Sequence, residues 1–318
     1  YNKIQFNEKF TASVASTSKF ESHKLQNIVG NLLASQGFFE IMTNSLVSES
    51  HNELLNTAEP EASVKMLNPL SADLSVLRNA MLFSGLETLL HNQNRKQQDL
   101  KLFEFGKTYG KSGEKFIENT HLSLLLNGNQ SGSNWSVAAR PSDFFYLKGV
   151  LTTCLSRLGI SNLKEKPLSH TTFSEGLELY IGKRHIGQFG VVKKSLVDRF
   201  GIKSTVFHAD LNWDAICEIA ANNNIVYKEV PKFPEVKRDL ALLIDDGVSF
   251  KEIYDLAFQA ERNLLKAVSL FDVYNGDNLP EGKKSYAIGF TIQDASKTLT
   301  DKQIEKIMSK LQHTNENK

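Results

Sequence analysis

The sequence predicts an α+β protein in two parts: an antiparallel sheet flanked by helices, then a ferredoxin-like βαββα(β) domain. Three observations predict it. A length of 318 residues favours two domains, and a composition 41% hydrophobic and 23% charged is ordinary for a globular chain with room for sizeable cores. Over most of the chain, strand-like and helix-like segments follow one another in irregular order, which suits an antiparallel sheet with helices beside it. Towards the carboxy-terminal end the order becomes strand, capped helix, strand, strand, capped helix, which is most of a split βαβ unit.

Residues 1–17 are polar and weakly periodic and read as a connecting arm. Ser18-Lys19-Phe20-Glu21 has the form of a capping box. Leu25, Ile28, Val29, Leu32 and Leu33 then recur at helical spacing as far as Gly37, which can close a helix in the left-handed conformation. Phe38, Phe39 and Ile41 begin a strand-like run. In LNPLSADLSVLRNAMLFSGLETLLHNQNR (67–95) the second half is helical, with Leu82, Leu86, Leu89 and Leu90 on one side. LKLFEFGKTY (100–109) reads as a strand of imperfect alternation, and residues 121–127 as another. FFYLKGVLTTCLSRLGI (144–160) is a helix ended by Gly159, IGKRHIGQFGVV (181–192) a hairpin turning near Arg184, and VFHADLNW (206–213) a strand. Asn222-Asn223-Asn224 marks a loop, within a linker expected over 216–227. Beyond it, FPEVKRDLALLI (233–244), SLFDVY (269–274) and SYAIGFTI (285–292) are strands. Ser249-Phe250-Lys251-Glu252 caps a helix with Ile253, Leu256, Ala257 and Ala260 facing inward. Thr300-Asp301-Lys302-Gln303 caps another, with Ile304, Ile307, Met308 and Leu311 as its apolar stripe.

Composition narrows the function classes. No apolar run approaches the ~20 residues that span a bilayer, and no signal peptide opens the chain. The first residue is Tyr1 rather than Met, so a piece of a longer protein is expected. Cys154 and Cys217 are too few for a disulfide framework or a thiolate metal site and lie among apolar residues, so a reduced, cytoplasmic protein is expected. The eight His show no metal-ligand spacing, no acidic cluster has it either, and no metal is assigned. No nucleophile elbow with a Ser/His/Asp order is present. Net charge is +1, and residues 225–318 hold 14 Lys+Arg against 15 Asp+Glu, so bulk charge does not favour nucleic acid. RNA recognition would need local placement, with Lys232, Lys237, Arg238, Lys283 and Lys284 as phosphate-contact candidates.

LNPLSADLSVLRNAM, LKLFEFGKTY, FFYLKGVL, HIGQFGVV, FPEVKRDLALLI and LFDVYNGDNLPEGKKSYAIGFTI, in that order and spacing, resemble the carboxy-terminal half of the bacterial phenylalanyl-tRNA synthetase β subunits. The resemblance covers nearly all of residues 18–315. It implies a catalytic-like module of class II synthetase fold over 18–215 and a ferredoxin-fold anticodon-binding domain over 228–318, whose last strand is missing before Lys318. It also implies an α2β2 enzyme that joins phenylalanine to its tRNA through an adenylate, using ATP and Mg²⁺, with the chemistry in the α subunit and an editing module upstream of Tyr1.

Adenylate formation needs fixed arginines and acidic groups around phosphates. A catalytic member ends its second motif on Tyr-Arg-x-Asp or Phe-Arg-x-Glu. The matching stretch here is Gly106-Lys107-Thr108-Tyr109-Gly110-Lys111-Ser112, so the arginine position falls on Gly110 and the carboxylate position on Ser112. The glycine-rich third motif is not recognisable: Gly187-Gln188-Phe189-Gly190 reads as strand packing, and Arg199 follows it. Arg78 reads as half of a structural ion pair rather than a substrate clamp. No catalytic residue is assigned, and the fragment alone is expected to be inactive, a scaffold whose first helix and adjoining strand pack on the α subunit.

Strand parity sorts the last domain into faces. Tyr286, Ile288, Phe290 and Ile292 should lie under the helices, with Ser285, Ala287 and Gly289 opposite. Phe271 and Val273 would then face the helices and Asp272 and Tyr274 the open side; Leu240, Leu242 and Ile244 go inward, Asp239 and Ala241 outward. The open face thus groups Ala241, Asp272, Tyr274 and Ser285. A phenylalanine tRNA carries guanine first in its anticodon, and one carboxylate can accept both donors of that base while a tyrosine stacks on it. These positions look like the family's anticodon pocket. The rival readings are an amino-acid-sensing regulatory protein with a ferredoxin-like domain and a self-sufficient class II ligase, which the missing arginines disfavour.

Overall fold

The computed structural model describes residues 9, 12–13, 21–55, 63–168, 171–223, 226–227, 229–276 and 279–316, and the chain forms two compact units, Tyr1–Ile225 and Val226–Lys318. The arm expected over 1–17 and the start of the capping box at Ser18 lie almost wholly outside the described residues.

In the first unit, α1 (Ser22–Ser35) follows Glu21 and ends where Gly37 takes φ +82°; the Phe38 N–H donates to the Leu33 carbonyl at 3.1 Å and ties off the last turn. Next come β1 (Phe39–Glu40), β2 (Leu46–Val47), α2 (Glu49–Glu53), β3 (Val76–Leu77) and α3 (Leu82–Gln93). A long hairpin, β4 (Leu100–Ser112) and β5 (Lys115–Asn127), leads through β6 (Asn129–Ser131) and β7 (Arg140–Pro141) to α4 (Phe144–Arg157). Then follow β8 (Leu163–Pro167), β9 (Phe173–Ile181), β10 (Arg184–Val192), α5 (Lys194–Arg199), β11 (Val206–Asn212) and α6 (Trp213–Ala221). Seven strands form one sheet in the order β1-β4-β5-β11-β10-β9-β8, antiparallel except for the β1–β4 pair.

Helices cover both sides of that sheet. Val29 and Leu33 of α1, Leu147 and Leu151 of α4, and Trp213 and Ile216 of α6 pack on Phe103, Leu124 and Ala209. Leu82, Leu86 and Leu89 of α3 and Leu196 and Val197 of α5 pack on Leu100, Leu102 and Leu125. This double burial explains the imperfect alternation of LKLFEF: consecutive residues Leu102 and Phe103 point to opposite cores. The linker expected from 216 begins later, because residues up to Ala221 complete α6, and Ile216 and Cys217 are buried in the core. The run IleCysGluIleAlaAla is short enough to pass for loop, but the Asn212 side chain caps it by accepting from the Ala215 N–H at 2.8 Å.

Polar side chains sit on the α3 side of the central strands. Thr108 Oγ1 lies 2.9 Å from His121 Nε2, and His121 Nδ1 lies 2.7 Å from Asp210 Oδ1. Burial opposes the charge on His121, but the Asp210 carboxylate outweighs it and holds the imidazole above its usual range; burial likewise opposes charge on Asp210, and His121 holds that carboxyl below its usual range. His208, one ladder step away, is 3% exposed, bonds Ser123 Oγ through Nε2 at 3.0 Å and stacks on Phe173. Its burial pushes the imidazole down to about 4, against some help from Asp210.

The second unit is β12 (Val236–Asp245), α7 (Phe250–Ala260), β13 (Leu265–Tyr274), β14 (Lys283–Ile292) and α8 (Asp301–Glu316), with the antiparallel sheet order β12-β14-β13. Ser249 and Glu252 make a reciprocal capping box; at the start of α8 the Thr300 N–H and Oγ1 both donate to Gln303 Oε1, half of such a box. Ile253 and Ala257, and Ile304, Ile307 and Leu311, bury against Leu242, Tyr286, Ile288 and Phe290. Among the described residues no strand follows α8, so β12 and β13 are the sheet's edges.

A buried imidazole that stays neutral in the fold but takes up a proton when the chain unfolds removes stability as pH falls. That loss begins near the ordinary histidine value of 6.5 and is complete near 4. Over that window the melting temperature of His208→Gln should fall less steeply than that of the parent chain, measured by circular dichroism. Parallel pH profiles would show that His208 is not a source of acid sensitivity.

Candidate nucleic-acid interface

The sheet of the first unit carries no ligase-type cation at the expected places. Gly110 and Ser112 sit near the tip of the β4–β5 hairpin, which closes through Gly113 and Glu114. Gly190 faces Gly176 across β9 and β10, and a Cβ on Gly190 would lie 2.2 Å from the Glu175 carbonyl oxygen. The two glycines therefore serve strand contact. Arg199 is exposed in the last turn of α5. Among the described residues, no group of three His, Cys, Asp or Glu could hold a metal ion.

Arg78 is 2% exposed and spent on the protein itself. Nη2 donates to Glu104 Oε1 at 3.0 Å, Nε to the Lys107 carbonyl at 2.9 Å and Nη1 to Thr43 Oγ1 at 2.6 Å; Thr43 in turn donates to Glu104 Oε2 at 2.7 Å. Gly106 makes room for the pair, since a Cβ there would lie 2.4 Å from Arg78 Nη2. The guanidinium ties the β3 segment to β4 and presents no donor fork to a ligand.

The second unit leaves one sheet face uncovered. Register puts Tyr274, Ser285 and Leu243 in one row across it, Asp272, Ala287 and Ala241 in the next, and Ser269, Gly289 and Asp239 in a third. The four residues expected to group there, Ala241, Asp272, Tyr274 and Ser285, therefore share two adjacent rows. Asp272 is exposed and its Oδ1 accepts from the Val273 N–H at 2.9 Å, which leaves acceptor sites for two donors of a base edge. Tyr274 is 44% exposed and rests on the Gly276 backbone, where a Cβ would come within 2.2 Å of its hydroxyl oxygen. Ala241 and Ala287 keep the surface between them low.

Parity alone misplaces one residue. The ladder pairs Leu270 with Ile288 but Asp272 with Ala287, so Phe271 is an extra residue in a β-bulge. Phe271, expected under the helices, lies on the open side instead, 60% exposed, with Cδ1 3.8 Å from where a Gly289 Cβ would sit. Val273 pairs with Tyr286 on the helix side yet stays 48% exposed. A sign of the bulge is present in the sequence: Val268, Leu270 and Val273 all pair with inward residues, a spacing of two followed by three. Leu243, 53% exposed on the same face, was hidden in the apolar run ALLI.

The five cations do not converge. Lys237 lies on the open side 3.5 Å from Glu235, and Lys283 pairs with Asp245 at 2.5 Å. Arg238 and Lys284 have the opposite parity: Arg238 Nη1 donates to the Lys237 carbonyl at 3.0 Å, and Lys284 lies over the Tyr286 ring and donates to the Asp246 carbonyl at 2.7 Å. Lys232 is exposed ahead of β12. The reason is local: a two-residue run such as Lys237-Arg238 within a strand must send its side chains to opposite faces.

Residues 8–213 match the family described as the phenylalanyl tRNA synthetase beta chain CLM domain, and residues 231–318 match the ferredoxin-fold anticodon binding domain. The chain is 42% identical over 98% of its length to the phenylalanine–tRNA ligase beta subunit of Bacteroides thetaiotaomicron, and 39% identical over 100% of its length to that of Porphyromonas gingivalis. It spans about 40% of the length of each of these relatives. Among solved structures, pyrrolysyl-tRNA synthetase from Desulfitobacterium hafniense superposes with a TM-score of 0.50 at 17% identity, covering 63% of this chain and 69% of that one, a likeness of fold.

Removing one member of a buried ion pair strands the other charge, at about 3–5 kcal/mol. Arg78→Ala should lower the unfolding free energy by about that amount in urea titrations. A variant as stable as the parent would mean that Arg78 is not a structural partner of Glu104.

Proposed function

The chain belongs to the phenylalanyl-tRNA synthetase β-chain family, and from that premise we propose that it is a non-catalytic part of a phenylalanine–tRNA ligase β subunit, which scaffolds the catalytic α subunit and reads the tRNA anticodon during ATP-dependent charging with phenylalanine. The observation that carries the reading is the open face of the second unit. There a carboxylate, an exposed tyrosine ring, a hydroxyl and a flat alanine floor adjoin one another on a rigid sheet. A carboxylate that accepts two donors suits the Watson–Crick edge of guanine, and an exposed aromatic ring suits a single-stranded base. Asp272 would take the base edge, Tyr274 its face, and Ser285 the base or its sugar.

The scaffold role draws on the first unit. Its buried arginine is taken up by Glu104, and ATP and Mg²⁺ are assigned in this reading to the α subunit's chemistry. Phe39 and Met42, 69% and 95% exposed beside α1, offer apolar surface for that subunit, in an α2β2 assembly working in the cytoplasm. Lys237 and Lys283, both on the open-face parity, are the cations proposed to meet tRNA phosphate.

In the ligase assembled with its α subunit, Tyr274→Ala should weaken tRNA binding by ~1–3 kcal/mol, and Asp272→Asn should erase the preference for guanine at the first anticodon position. Filter binding against cognate and anticodon-substituted tRNA reads both effects. If neither substitution changes affinity or preference, the open face is not the anticodon site.

A further inference from the structure

The β13 bulge has a consequence that the pocket around Asp272 does not use. Leu270 faces the helices opposite Ile288, so Phe271 after it falls on the open face, where 60% of its surface is exposed. The extra residue then keeps Asp272 on that same face, opposite Ala287, so the phenyl ring and the carboxylate stand side by side. Bulges beside functional sites commonly re-aim a side chain in this way. The ring's immediate neighbours are small or polar. Gly289 lies beside it, where a Cβ would stand 3.8 Å from Phe271 Cδ1, 3.0 Å from Ser269 Oγ and 3.4 Å from Asp239 Oδ1. Ser269 Oγ donates to the Gly289 carbonyl at 3.3 Å, which holds it low against the sheet.

The open face therefore holds two aromatic rings on one strand, Tyr274 and Phe271, on either side of Asp272. Each has a small-residue floor on β14, Ser285 for the first and Gly289 for the second. Asp239 supplies a second carboxylate at the edge of the Phe271 floor, one row beyond the Asp272 row.

Building on the anticodon reading above, we propose that Phe271 is a second stacking platform, which takes the base of a nucleotide adjoining the one held at Asp272 and Tyr274. The open face then binds two neighbouring bases rather than one. A phenyl ring offers no hydrogen bond, so this platform adds affinity and fixes the path of the strand, with Asp239 within reach to favour a base that carries an exocyclic amine.

The test uses the complete ligase with its α subunit and a phenylalanine tRNA bearing a single abasic nucleotide on either side of the first anticodon position. Phe271→Ala should weaken binding of the intact tRNA by about 5- to 100-fold, Phe271→Trp should retain it, and the Phe271→Ala loss should disappear for one of the two abasic tRNAs. Because Phe271 is already mostly exposed, the melting temperature should not move. Phe271→Ala binding like the parent while Tyr274→Ala binds weakly would overturn the second platform and leave the anticodon reading standing. A loss of equal size with intact tRNA and both abasic tRNAs would overturn it too. If Asp272→Asn, Tyr274→Ala and Phe271→Ala all bind as the parent does, both readings fall together.

Discussion

The ladder of β14 with its two neighbours is the constraint on which the second unit depends. β14 is bulky at every second position, with Tyr286, Ile288, Phe290 and Ile292 buried and the residues between them small. That single alternation commits one face to α7 and α8 and makes the other flat. β12 follows it without a break, so Ala241 and Asp239 take the open side by register alone. β13 cannot follow it throughout, because its inward residues are spaced by two and then three. The bulge at Phe271 absorbs the extra residue and restores the pairing for Asp272 and Tyr274.

The first unit works under a different constraint. Its sheet is buried on both faces, so polar groups on its strands must find partners inside the protein. Arg78, Glu104 and Thr43 form one closed set, and Thr108, His121 and Asp210 another. A ligase site on such a sheet needs cations that remain available to phosphates. Here Gly110 takes the place where the resemblance would put an arginine and Ser112 that of a carboxylate, and the buried guanidinium is paired with Glu104. On this sheet the buried charges hold strands together.

The two units differ in the state of their surfaces. The first presents exposed apolar side chains near α1 and buries the Arg78–Glu104 ion pair inside. The second presents aromatic rings and a carboxylate on a sheet with nearly balanced net charge. The recognition proposed for that face would rest on stacking and hydrogen bonding, with few cations positioned to add a long-range attraction.

Much of this was legible in the sequence. The capping residues of α7 and α8, the apolar stripes of both helices, the glycine that ends α1, the three strands of the smaller sheet and the grouping of Ala241, Asp272, Tyr274 and Ser285 all follow from periods of 3.6 and 2 and from local hydrogen-bonding chemistry. Such features depend on residues close in the chain. The length of α6, the double burial of β4, the partners of Arg78 and the direction of Phe271 did not follow. Each depends on what lies across a ladder or under a helix distant in sequence. Lys284 and Arg238 show the same limit, since charge is visible in a sequence but the face it occupies is set by register. What the sequence by itself determined was the set of elements and their chemistry. Which side of each sheet that chemistry reaches was decided only in the tertiary structure, because one unpaired residue in a strand reverses every side chain that follows it.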